Sequence, residues 1–241
     1  MTTSLLFLPG TLCDCRAWRP VADALRIDCK NTTPHYFVEY ATISSISEMA
    51  ERALTYASGT VIPIGLSMGG AVALEMWRQA PHRIAGMVLC GTDASADTPA
   101  RYAMRAEQFS IAMHEGLAAM LATVMDKYFV ADSEDKLSAL QRCAYGMAQQ
   151  QGLPALIAQH RALTHRRDNW PWLSAMTAPT LILCGEVDTI CPPEIHARMA
   201  LCLPNSRYEI ISKAAHLAPL QQPAQVAAYI AQWLAASDLA R

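Results

Sequence analysis

The sequence predicts an α/β architecture: a mostly parallel sheet of about six strands, helices on both faces, and a cap of further helices inserted into the chain. Two observations carry this. Short apolar runs, each closed by a turn signal, alternate with stretches of helical period, and the alternation stops between Asp93 and Ala178, where helix follows helix.

The runs are 4–8 closed by Pro9-Gly10, 60–64 by Gly65, 86–90 by Gly91, 180–184 by Gly185, and 208–211 by Ser212-Lys213. Runs this short and apolar throughout suit parallel strands covered on both faces. A sixth strand is expected near 35–38. Between them, 18–27 has apolar residues at Trp18, Val21, Ala22 and Leu25, a helical period. Helices are also expected over 46–58, with Ser45 or Ser47 as N-cap, and over 69–79, 192–201 and 223–236. The inserted block reads as helices over 99–114, 116–128, 133–150 and 154–165. The expected organisation is thus a core of 1–92 and 179–241 with a cap of 93–178. Five of the chain's twelve methionines fall in the cap: Met104, Met113, Met120, Met125 and Met147. Most should be ordinary packing, with one or two facing a pocket.

Composition excludes several classes. The 241 residues are 52% hydrophobic with a formal net charge of -2. There is no basic field for nucleic acid and no polyacidic tail. The eight cysteines are irregularly spaced; Cys13 and Cys15 form C-x-C, and no Cys/His cluster has zinc spacing. They read as reduced thiols of a cytoplasmic protein, with no metal and no cofactor expected. Met1 to Pro9 lacks a basic region and a long apolar stretch, and no run reaches the roughly 18 apolar residues of a membrane span. Neither a membrane nor a nucleic-acid partner is expected.

The chemistry is concentrated in Gly65-Leu66-Ser67-Met68-Gly69, a G-x-S-x-G sequence between a β-branched strand and a helix. Such a serine sits on a very tight turn, where flanking side chains would collide, and its hydroxyl stands at a helix N-terminus that favours developing negative charge. A serine hydroxyl needs a base. Of seven histidines, His216 alone lies on a loop after a core strand; His35, His82, His114, His160, His165 and His196 are elsewhere. The base needs a carboxylate, and Asp188 closes the preceding strand, with Glu186 and Asp93 as competitors. Two backbone donors are needed for an oxyanion. Met68 N–H is one; Thr11 N–H, or Leu12 as its alternative, is the other.

These residues resemble the α/β-hydrolase superfamily nearly end to end. Leu8-Pro9-Gly10-Thr11 stands where many members have His-Gly, Gly65 to Gly70 looks like the nucleophile elbow, Pro179 to Asp188 looks like the acid strand, and Ala215 to Pro219 looks like the histidine loop. Pro9 replaces the usual histidine. Size and cap are similar to small bacterial carboxylesterases, enol-lactonase-like enzymes and pimeloyl-carrier-protein methyl esterases. The resemblance implies an esterase acting on a small-molecule ester of a small or medium acyl group, with C–C bond hydrolysis or lyase chemistry as the alternative. In the last group cap arginines hold an acidic carrier protein; here Arg161, Arg166 and Arg167 cluster on one cap segment, more in keeping with a solvated helix face than with a carrier site.

Overall fold

The computed structural model describes residues 3–29, 33–130 and 134–239. In chain order the elements are β1 (Ser4–Leu8), α1 (Arg19–Cys29), β2 (His35–Phe37), α2 (Ile46–Leu54), β3 (Val61–Leu66), α3 (Met68–Gln79) and β4 (Met87–Cys90). Then come α4 (Pro99–His114), α5 (Leu117–Ala122), α6 (Met125–Tyr128) and α7 (Glu134–Thr164). β5 (Thr180–Gly185), α8 (Pro193–Cys202), β6 (Ser206–Ile211), α9 (Ala218–Gln221) and α10 (Pro223–Ala236) complete the chain. The six strands form one parallel sheet in the order β2-β1-β3-β4-β5-β6.

Alternation along each strand divides the core in two. Leu5, Phe7, Ile62, Ile64, Leu181 and Leu183 cluster with Trp18 just before α1, Val21 of α1, and Ile230 and Trp233 of α10. Leu6, Leu8, Leu89 and Ile182 face α2, α3 and α8, through Met49, Val72, Leu74 and Met199. Complete burial on both faces is why the central strands read as unbroken apolar runs, each such side chain contributing about 1.5–3 kcal/mol. The helices of 99–164 join the same clusters: Met120, Val124, Met125 and Met147 extend the first, and Ala162 and Leu163 the second.

Several boundaries differ from expectation for local reasons. The 116–128 helix is split, because Thr123 Oγ1 donates to the Met120 carbonyl at 2.7 Å and closes α5. Thr55 does the same to Arg52 and stops α2 at Leu54, after Ser45 has capped its start. The expected helices 133–150 and 154–165 run together as α7, bent at Gly152, whose φ of 77° suits glycine. Residue 133 lies outside the described residues. Among the described residues no helix is long and apolar enough to cross a membrane.

All strands run the same way, so their carboxyl ends share one edge. The chain starts at β1, steps to β2 on one side, then crosses to β3 on the other. The crevice between the loops after β1 and β3 is the position where open α/β sheets bind ligands. Pro9 to Cys13 follow β1 there, and Ser67 follows β3.

Candidate active site

Ser67 is the single residue between β3 and α3 and is held at φ 53°, ψ -112°, a region L-residues rarely adopt. The surroundings fix it from three sides: its N–H donates to the Cys90 carbonyl at 2.9 Å, while its own carbonyl accepts from Thr92 Oγ1 at 2.8 Å and from Gly70 N–H at 2.9 Å. The flanking glycines are required by space. A Cβ on Gly65 would collide with the Gly69 backbone, and one on Gly69 with the Leu8 carbonyl.

The elbow brings Ser67 Oγ to 3.0 Å from His216 Nε2. The other ring nitrogen, Nδ1, lies 2.8 Å from Asp188 Oδ2. The second oxygen of Asp188 accepts from the Ile190 and Cys191 N–H groups at 2.8 and 2.9 Å. Asp188 is 2% exposed. Burial alone would push its carboxyl up, but the charge and hydrogen bond of His216, with the two backbone N–H groups, hold it below the usual carboxylate range. An ionised Asp188 only accepts, so Nδ1 carries the proton and Nε2 is left to accept from the serine hydroxyl. The imidazole is steadied from the inserted helices as well. Tyr128 stacks on it with centroids 6.0 Å apart, and the His216 and Leu217 N–H groups donate to the Lys127 and Tyr128 carbonyls.

The competing residues are placed elsewhere. Glu186 accepts from the Lys213 N–H, away from the histidine. Asp93 pairs with Arg101 at 2.7 Å and accepts from Ser95. His196 is fully buried between Thr92 N–H and the Pro192 carbonyl, a structural role.

A cavity of about 240 Å³ opens over Ser67 and His216. Gly10, Thr11 and Leu12 line one part of it. The Leu12 N–H is already engaged, donating to the buried Gln159 Oε1 of α7 at 2.8 Å. Met68 is the first residue of α3, directly beneath the serine. Apolar lining comes from Met104, Met120, Leu156 and Leu163, so two of the five methionines of the inserted block face the cavity; Met125 and Met147 are core and Met113 is exposed.

The arginine cluster divides. Arg161 and Arg167 are exposed, whereas Arg166 turns inward, its Nε donating to the Ser95 carbonyl at 2.7 Å, and lines the cavity. Arg101 and Arg105 of α4 join it there. Sequence reasoning missed both, together with Tyr128, Gln159 and His160. A signal existed for α4: Arg101, Met104, Arg105 and Gln108 fall at helical spacing on one inward face, and three of the four are polar.

A family profile described as alpha/beta hydrolase fold matches residues 56–223. The chain belongs to the alpha/beta hydrolase family. Within this family it is 26% identical over 231 residues, 89% of its length and 82% of the other's, to a Bacillus subtilis (strain 168) protein provisionally named a 2-succinyl-6-hydroxy-2,4-cyclohexadiene-1-carboxylate synthase. It is 25% identical over 187 residues, 75% of its length and 72% of the other's, to a pimeloyl-[acyl-carrier protein] methyl ester esterase of Vibrio vulnificus (strain CMCP6). Among solved structures, a thermophilic esterase from Thermogutta terrifontis superposes with a TM-score of 0.86 at 25% identity, covering 98% of this chain and 90% of that one.

Proposed function

We propose that this alpha/beta hydrolase is a serine esterase that cleaves a carboxylic ester of a small or medium acyl group through an acyl-enzyme, with residues 93–178 serving as the cap over its site. The observation that carries the reading is the continuous hydrogen-bonded chain Ser67–His216–Asp188, at 3.0 and 2.8 Å, with Ser67 and His216 lining the cavity.

Ser67 Oγ attacks the ester carbonyl carbon as its proton passes to His216 Nε2. Asp188 stabilises the imidazolium and keeps the ring oriented. The tetrahedral oxyanion takes hydrogen bonds from the Met68 and Thr11 N–H groups, each worth about 3 kcal/mol in the transition state. Thr11 is preferred over Leu12 because the Leu12 N–H is held by Gln159. The oxyanion collapses, the C–O bond to the alcohol breaks, and Nε2–H protonates the departing oxygen. A water then gives its proton to Nε2 and attacks the acyl carbon, releasing the acid and restoring Ser67.

A panel of 4-nitrophenyl esters of increasing acyl length tests this. We expect a pre-steady-state burst of one nitrophenol per chain and a preference for short acyl groups. A chain that hydrolyses none of them but cleaves a vinylogous diketone would instead be a C–C bond hydrolase, the second reading; the Bacillus relative is named a synthase, not an esterase.

A further inference from the structure

The cavity lining carries an uncompensated charge that ester cleavage alone does not use. Four cationic side chains line it, Arg101, Arg105, Arg166 and Lys127, and among the described residues no Asp or Glu lines it. The counter-charges lie behind. Arg101 Nη1 meets Asp93 Oδ2 at 2.7 Å. Arg105 grips Asp97 with two nitrogens, at 2.8 and 3.3 Å, and Arg166 Nη2 lies 3.6 Å from the same carboxylate. The Asp93 and Asp97 side chains are each 4% exposed, and the side chains of Arg101, Arg105 and Arg166 are 23%, 13% and 9% exposed.

Three largely buried arginine side chains against two carboxylates leave one positive charge at the wall, before exposed Lys127 is counted. A net charge out of water is costly unless a partner meets it. A guanidinium has five N–H donors in a fork suited to a planar anion, and the bonds to Asp93, Asp97 and Ser95 leave several of them unspent. The paired carboxylates also hold the forks in place before a ligand arrives, which lowers the ordering cost of binding.

We infer that the substrate carries a carboxylate in addition to the ester, and that Arg101, Arg105 and Arg166 bind it while Ser67 attacks the carbonyl. The ester and the role of Ser67 rest on the esterase reading; the carboxylate rests on the cavity's charge alone. Two further observations agree with it. His160, which lines the same cavity, is held neutral, its pKa pushed down to about 4 by burial first and by the charge of Arg105 second, so it adds no further cation. The apolar part of the lining, from Met104, Met120, Leu156 and Leu163, suits the hydrocarbon joining two polar ends.

The test compares matched pairs: mono-4-nitrophenyl glutarate against 4-nitrophenyl valerate, with the carboxylate on the acyl side, and 4-carboxyphenyl acetate against 4-carbamoylphenyl acetate, with it on the alcohol side. We expect kcat/KM to favour the anionic member of one pair at least tenfold at low salt, and the preferred pair to say which side is bound. In Arg101→Gln, chosen because Arg101 is the most exposed of the three, that ratio should fall to within about threefold of unity. Equal or better turnover of the neutral member in both pairs overturns the inference and leaves the esterase reading standing. If no ester is turned over, that reading falls, and the anion site is judged separately by protection. Glutarate, but not glutaramide, should slow fluorophosphonate labelling of Ser67 in the unsubstituted chain; no difference between the two overturns it, whether or not the variant folds.

Discussion

The carboxyl edge of the sheet and the helices of residues 99–164 both hold polar groups in fixed positions, by different means. At the sheet edge the backbone does the work. Ser67 is pinned by the Cys90 carbonyl and the Thr92 hydroxyl, and Asp188 by two successive N–H groups in the turn that follows it. In and beside the helices the helical backbone bonds are spent internally, so side chains do the holding: Arg105 on the Asp97 carboxylate, Arg166 on the Ser95 carbonyl, Gln159 on the Leu12 N–H. A device built from backbone constrains residue type tightly and leaves a motif. A device built from side chains leaves only a helical face with a few polar residues on it. On the proposed reading, chemistry belongs to the first region and selectivity to the second, and the two should respond differently to substitution.

The largest effect is expected where the backbone device meets the reaction. Ser67→Ala and His216→Ala should each lower kcat/KM by about 10⁴–10⁶-fold, and Asp188→Asn by about 10⁴-fold, with thermal unfolding nearly unchanged for Ser67→Ala. Next comes the elbow's geometry. Gly69→Ala drives a Cβ into the Leu8 carbonyl, part of the strand backbone, and should cost about 3 kcal/mol or more in urea unfolding. A loss below about 1 kcal/mol would show that strand and helix can separate more easily than the packing implies.

The helical region gives smaller and more conditional effects. His160 has a folded pKa of about 4 against about 6.5 unfolded. Above pH 6.5 both states are neutral and nothing is lost. As pH falls toward 4 the unfolded chain takes a proton that the native one resists, so stability declines by about 3 kcal/mol over that window. Urea titrations at pH 7 and 4.5 should show a shallower decline in His160→Asn; His196, whose pKa burial also lowers, adds to the decline in both chains. Gln159→Leu leaves the buried Leu12 N–H unpaired and should cost about 1–3 kcal/mol, with kcat falling because the loop bearing Thr11 loosens. Arg161→Ala, on the exposed side of α7, should change stability by less than about 0.5 kcal/mol.

The same contrast explains what the sequence disclosed. The central strands β1, β3, β4 and β5 were legible because both their faces are buried, and Ser67, His216 and Asp188 because each follows a strand on a loop with little alternative use. Glu186 and Asp93 were separable from Asp188 only by direction: both lie after strands, but one faces Lys213 and the other Arg101. Arg166 shows the limit in the helices. In sequence it belongs with Arg161 and Arg167, and nothing in their spacing tells which of three arginines turns inward. That depends on Asp97 and the Ser95 carbonyl, some seventy positions earlier. The split of α5 from α6 was likewise invisible to periodicity, since a threonine hydroxyl choosing a backbone carbonyl leaves the apolar pattern intact.

The nucleophile itself is best tested by treating the folded chain with a fluorophosphonate and mapping the adduct by peptide mass. Modification should fall on Ser67 alone, vanish in Ser67→Ala, and slow by at least a hundredfold in His216→Ala. Adduct formation on another serine, or labelling of Ser67 at an unaltered rate without the imidazole, would contradict it.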